Sequence, residues 1–134
     1  MSQENVELVR QMNARFNHGE VDAALDLMHR DVHFRDLQNA PDVPQAVRGR
    51  ESVRLVAAQW AGAYDHFRAD VLEYIDADPW VIVDVRWHGT GRGSGVSVEL
   101  RGFDACRVES GEVVEWVVGS PDLSTALKAV GLVK

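Results

Sequence analysis

The sequence predicts an α+β fold. Three N-terminal helices pack against a curved, mainly antiparallel β-sheet that forms a cone around a cavity, and a short helix closes the chain. Three observations predict it. Apolar residues recur at helical spacing as far as Tyr64 and alternate beyond it. Turn-forming runs such as "GTGRGSG" and "ESGE" divide the second half into strands. Asp122, behind Pro121, opens a last helical pattern.

Each element has its own signal. In the first helix Val6, Val9, Met12 and Phe16 form one stripe, which Asn17-His18-Gly19 ends. A second helix over "EVDAALDLMHR" carries Val21, Ala24, Leu25 and Met28. Pro41 and Pro44 mark the loop that follows. "GRESVRLVAAQWAGAY" forms a third helix with Val53, Val56, Ala57, Trp60 and Tyr64 along one side. "FRADVLEYI" is a strand with Phe67, Ala69, Val71 and Ile75 on one face. "WVIVDVRWHG", "VSVELRGFDACRVESG" and "EVVEWVVG" follow, the last two joined by a tight hairpin at Glu109-Ser110-Gly111-Glu112. "DLSTALKAVGL" is the final helix.

The chain of 134 residues reads as one domain, 1–134, with 46% hydrophobic residues, too many for a disordered segment. A net charge of −7 argues against a general nucleic-acid or anionic-membrane surface. The single cysteine, Cys106, excludes an intrachain disulfide. No run has a signal peptide's apolar centre or the roughly 20 apolar residues of a membrane helix, so a cytoplasmic protein is expected.

Function is sought in polar groups on apolar faces. In the strand from Val96 to Val108 the even positions are apolar except for Asp104. A carboxyl on such a face is costly unless paired or protonated, and desolvation favours the protonated form. Asp104 is therefore a candidate hydrogen-bond donor, with a structural hydrogen bond as the alternative. Asp36, beyond the second helix, is placed to cross the mouth of a cavity and to move a proton there, or else to form an Asx turn. In the strand from Trp80, Asp84 and Arg86 share a face opposite Val81, Val83, Val85 and Trp87, and either pair on the outer surface or line the pocket. His29 and His33 would meet a metal together only within a continuous helix, and no motif supports that, so no metal is assigned. Met12, Phe16, His33, Trp60, Tyr64 and Cys106 are expected to line the cavity.

Four stretches, "VRQMNARFNHGEVDAALDLMHRDVHFRD", "GRESVRLVAAQW", "DACRVESGEVVEWV" and "DLSTALKAVGL", cover nearly the whole chain. They resemble the nuclear transport factor-like superfamily, and more closely its SnoaL-like polyketide cyclase and ketosteroid isomerase branch. The resemblance implies that Asp36 stands where the isomerases keep a general-base aspartate, and Asp104 where they keep the protonated aspartic acid of an oxyanion hole. It also puts Met12 where they keep a donor tyrosine. Loss of one such donor typically costs on the order of 2.7–4 kcal/mol of transition-state stabilisation.

The expected function is a small cofactor-independent enzyme. It would act through aspartate acid/base chemistry on a hydrophobic carbonyl compound, by isomerisation or aldol-type cyclisation. A non-catalytic ligand-binding or dimerisation domain is the alternative. A further one is an epoxide hydrolase or dehydratase using Asp84, Arg86 and Asp104, with Asn39 and Tyr64 as conceivable water-holding partners. A homodimer is expected in every case, with Trp87 and Trp116 as candidates for burial by the partner.

Overall fold

The computed structural model describes residues 2–38 and 46–133. Helix α1 is Ser2–Asn17 and α2 is the short Val21–Leu25. Strands β1 (Met28–Asp36) and β2 (Ala46–Arg48) come next, then α3 (Arg50–Ala63), β3 (Tyr64–Ala77), β4 (Trp80–Gly91), β5 (Ser97–Glu109), β6 (Glu112–Ser120) and α4 (Leu123–Ala129). Pro41, Pro44 and Asn39 lie outside the described residues.

The α+β class is found, but the predicted cone is not. The strands form one six-stranded sheet in the order β2-β1-β6-β5-β4-β3, so β2 and β3 are its edges and do not close on each other. The sheet is mixed, because β1 runs parallel to β6 while the other pairings are antiparallel. Only two helices precede the sheet, and α3 follows β2. The second helix ends five residues before the sequence pattern does, because Met28 to Arg30 belong to β1. Tertiary pairing decides this: Val113 donates its N–H to the Leu27 carbonyl at 2.9 Å, and Arg50 donates Nε to the Met28 carbonyl at 2.9 Å. Backbone groups satisfied by β6 and α3 outweigh a weak local helix preference.

The sheet has two different faces. The face toward α1, α2 and α3 buries Met28, Val32, Phe34, Val81, Val83, Val85, Cys106, Val108 and Trp116 with Val9, Met12, Val53 and Val56 of the helices. Asn17 ties α1 to the edge strand, its side-chain amide exchanging two 2.8 Å hydrogen bonds with the backbone of Ala69. The opposite face has a smaller cluster, Trp80, Ile82, Ala105 and Val117, covered by Leu127 and Val130 from the C-terminal end. Beyond it that face is ionic. Asp84 pairs with Arg101 at 2.9 Å, Arg86 with Glu99 at 3.6 Å, and His88 with Asp70 at 2.8 Å.

Two irregularities in β3 change which side chains face inward. Val71 pairs with Val85 and Glu73 with Asp84, so Leu72 is an extra residue. It flips the alternation. Tyr74 therefore packs on the main core, while Ile75, predicted to share a face with Val71, joins the opposite cluster.

Candidate functional site

Asp36 ends β1 and Asp104 lies midway along β5, and β6 runs between those strands. Both carboxyls are buried at 4% exposure. They meet at Gly119. Its N–H donates to Asp104 Oδ1 at 3.2 Å, made possible by a register break between the Phe103 and Ala105 pairings that frees Gly119 from the ladder. Asp36 Oδ1 accepts the Gln38 N–H at 2.9 Å. Gly119 has φ +85°, and a Cβ there would stand 2.8 Å from Gln38 Cγ and 3.1 Å from Asp36 Oδ1. Both the conformation and the space call for glycine. Gly119→Ala is expected to destabilise the protein by about 1–3 kcal/mol, read from urea denaturation. Unchanged stability would show that Asp36 and Gln38 yield freely.

Asp104 has its pKa pushed up to about 7. Burial is the main cause, and the neighbouring Asp36 charge adds to it. The Gly119 N–H and, more weakly, the Trp87 indole N–H oppose the rise by favouring the anion. At neutral pH a large share of Asp104 is a carboxylic acid able to donate a hydrogen bond.

Beside the carboxyls is a cavity of about 120 Å³ lined by Asp36, Gln38, Val118 and Gly119, by Leu100, Arg101 and Gly102 of β5, by His88 of β4, and by a wall of aromatic rings. The wall comprises Trp60, Tyr64, Phe67 and Trp87, and the same four residues line a second cavity of about 320 Å³ beside α1. Tyr64, Phe67 and Trp87 form a run of stacked rings with centroids 5.4 and 5.3 Å apart. Trp60 lies 5.6 Å from Phe67 and 5.8 Å from Trp87. A small apolar molecule with one polar group fits this chemistry.

Residues 9–116 match the family model described as a SnoaL-like domain. The chain belongs to the SnoaL-like family. Solved structures with the same fold include a nuclear transport factor-like protein of unknown function from Burkholderia pseudomallei K96243. It has TM-score 0.81 and 18% identity, over 96% of this chain and 97% of that one. A protein from Jannaschia sp. CCS1, provisionally classed as a SnoaL-like polyketide cyclase, has TM-score 0.78 and 20% identity over 100% and 96%. A protein with a ketosteroid isomerase-like fold from Catenulispora acidiphila DSM 44928, in complex with trimethylamine, has TM-score 0.74 and 17% identity over 93% and 92%. No curated protein sequence matches the chain.

In this SnoaL-like chain the residues singled out by sequence separate into three groups. Asp36, Trp60 and Tyr64 line the first cavity, with Asp104 behind Gly119, and Phe16 lines the second. Met12 and Cys106 line neither cavity: Met12 is fully buried in the core, and burial pushes the Cys106 thiol well up, leaving it a small hydrophobe. His33 is exposed, because inward positions of β1 are Val32, Phe34 and Asp36. His29 shares its strand rather than a helix, which removes the geometry of a helical metal pair.

Asp84 and Arg86 are on the face away from the helices, each held by an ion pair, and line neither cavity. The aspartate–arginine–aspartate arrangement with Asp104 is therefore not assembled. Trp87 and Trp116 are not on an outer surface either. Trp87 stands in the aromatic wall, and Trp116, 2% exposed, stacks on Phe16 at 5.3 Å. Sequence reasoning missed Gly119, Phe67 and the role of Trp87. Only Trp87 had a usable signal, its place beside Val81, Val83 and Val85 on the inward face.

Proposed function

We propose that this SnoaL-like protein is an acid/base enzyme acting on a small hydrophobic carbonyl compound, by isomerisation or aldol-type cyclisation, with no cofactor required. The observation that carries the reading is a carboxyl held near pKa 7 by burial, beside a second carboxyl that opens on an apolar cavity. Asp36 removes the proton from carbon next to the carbonyl. The electron pair moves onto the carbonyl oxygen, where the Asp104 O–H donates a hydrogen bond to the developing enolate. In a substrate with a carbon–carbon double bond next to that carbon, the enolate is a dienolate and Asp36 returns the proton at its far end; otherwise the enolate carbon attacks a second carbonyl of the same molecule, and the new alkoxide takes the proton. Gly102, two residues from Asp104 in β5, also lines the cavity, and the absence of a side chain there lets the Ser120 carbonyl oxygen approach, 3.0 Å from where a Cβ would stand.

One observation favours a binding domain instead. Each carboxyl already has a backbone donor, the Gln38 N–H for Asp36 and the Gly119 N–H for Asp104, and Met12 offers none to a ligand. Carbon-detected NMR titration of the aspartate carboxyls, with Asp36→Asn and Asp104→Asn for assignment, separates the two. Titration of Asp104 near 7 supports the enzyme. An Asp104 that titrates in the ordinary carboxylate range removes the neutral donor and leaves the binding domain. The homodimer is part of this proposal, with the ionic face of the sheet, rather than Trp87 and Trp116, as its surface.

A further inference from the structure

The first cavity is small for a ligand with a hydrophobic body, since ligand pockets commonly span roughly 300–1,000 Å³. The second is larger, and only the aromatic wall stands between them. That wall depends on an irregular backbone. Tyr64 and Phe67 are three apart, and in a regular strand they would face opposite ways. The β3–β4 pairing passes from Asp65 directly to Arg68, leaving His66 and Phe67 outside the ladder, and His66 has φ 56°. This bulge turns both rings to one face, over Gly89, where a Cβ would be 3.0 Å from Tyr64 Cβ and 3.2 Å from Phe67 Cδ1. Phe67 thus sits on an edge strand at a residue with no partner in the ladder. It is the wall residue least restrained by backbone hydrogen bonds.

The two cavities differ in their acidic groups. The first carries the Asp36 carboxyl, with Asp104 behind it, and at its rim Arg101 and His88, which are engaged by Asp84 at 2.9 Å and Asp70 at 2.8 Å. The second is lined by Arg68, Arg92, His66 and Asn13, with no carboxylate among its described lining residues. The two arginines have acidic partners, Asp70 at 3.2 Å and Asp65 at 3.0 Å, but neither aspartate lines the cavity. Arg92 also donates Nη2 to the Ala61 carbonyl at 2.8 Å, but a guanidinium has five N–H donors, so both arginines keep donors free for a ligand.

We propose that the second cavity is the distal half of a single ligand site, and that the substrate is an elongated, flat carbonyl compound with a carboxylate at its far end. The carbonyl lies at Asp36 and Asp104, the planar body displaces Phe67 and stacks on Trp87, and the carboxylate reaches Arg68 and Arg92. The carbonyl end rests on the acid/base reading above, whereas the carboxylate end does not.

Tryptophan fluorescence tests both ends at low ionic strength, because Trp60 and Trp87 line both cavities. The probes are acetophenone, a biphenyl with a para-acetyl group at one end and a carboxylate at the other, and the methyl ester of that acid. The acid is expected to bind at least about tenfold more tightly than the ester, the scale of one hydrogen bond to a charged group. Arg68→Gln with Arg92→Gln should bring the acid down to the ester's affinity and leave the ester unchanged. Asp65→Asn removes the partner of Arg92 but keeps its charge, so the preference for the acid should survive. Phe67→Ala should strengthen binding of both biphenyls and not of acetophenone. Equal binding of acid and ester, failure of both biphenyls to bind, or a preference that survives loss of both arginines overturns the proposal. Acetophenone binding that is indifferent to Asp104→Asn counts against the acid/base reading alone.

Discussion

Asp104→Asn is expected to remove a large part of the pH dependence of stability between about pH 4 and pH 7. The Asp104 carboxyl has a pKa of about 7 in the folded protein against an ordinary value of 3.8. Below the unfolded value both states hold the proton, and its contribution to stability is fully present. As pH rises through this window the unfolded chain has lost the proton while the native state keeps it, so unfolding releases a proton and stability falls. The slope is about 1.4 kcal/mol per pH unit, and the total is roughly 4 kcal/mol once Asp104 itself ionises. The asparagine variant lacks this term. Subtracting the two urea-denaturation profiles cancels the other titrating groups, and the stability of the variant relative to the native protein should climb by that amount between about pH 4 and pH 8. A flat difference would mean that Asp104 is ionised throughout, and that Gly119 and Trp87 hold an anion rather than an acid.

Much of the fold is legible because it is local. The change of period at Tyr64, the stripe of α3 and the hairpin at Ser110-Gly111, with φ 52° and 77°, are all readable from short windows. The pairing of β1 with β6 is not. Its register joins Phe34 to Trp116 and Asp36 to Val118, far apart in sequence, and parallel strands leave no hairpin signal between them. Met28 also continues the helical stripe of α2, so the start of β1 reads as helix. The cone was an inference from the element order, and that order is itself different once β1 and β2 precede α3.

The site shows the same division. Alternation along β5 singles out Asp104, and alternation along β4 separates Asp84 and Arg86 from Trp87 once the inward phase is known. What alternation cannot give is the effect of an irregular residue. Gly119 reaches Asp104 through a break in the β5–β6 register, and Phe67 joins Tyr64 through the bulge at His66. Each bulge turns a side chain or an N–H toward the cavity, and none has a sequence mark of its own beyond an unremarked glycine or histidine.

If Asp36 is the base, Asp36→Asn should lower the rate of proton removal from a bound ketone by about 10²- to 10⁴-fold, the usual contribution of a positioned base. The assay is deuterium uptake from D2O into the carbon next to the carbonyl, followed by proton NMR with acetophenone replaced by a cyclic ketone such as 1-indanone, which has such carbons in a ring. The substitution is structurally mild. Asparagine keeps an oxygen where Asp36 Oδ1 accepts the Gln38 N–H, so the turn at Gln38 and the contact with Gly119 are retained. Asp104→Asn should act differently in the same assay. It removes the O–H donor but not the base, and the native rate should fall as pH rises past about 7 because Asp104 ionises there. The asparagine variant should be slower below that point and show no such fall. If instead Asp36→Asn leaves exchange at the level of buffer-matched native protein, the carboxyl at the end of β1 is an Asx turn that holds Gln38. The cavity would then belong to a protein that binds its ligand without transforming it.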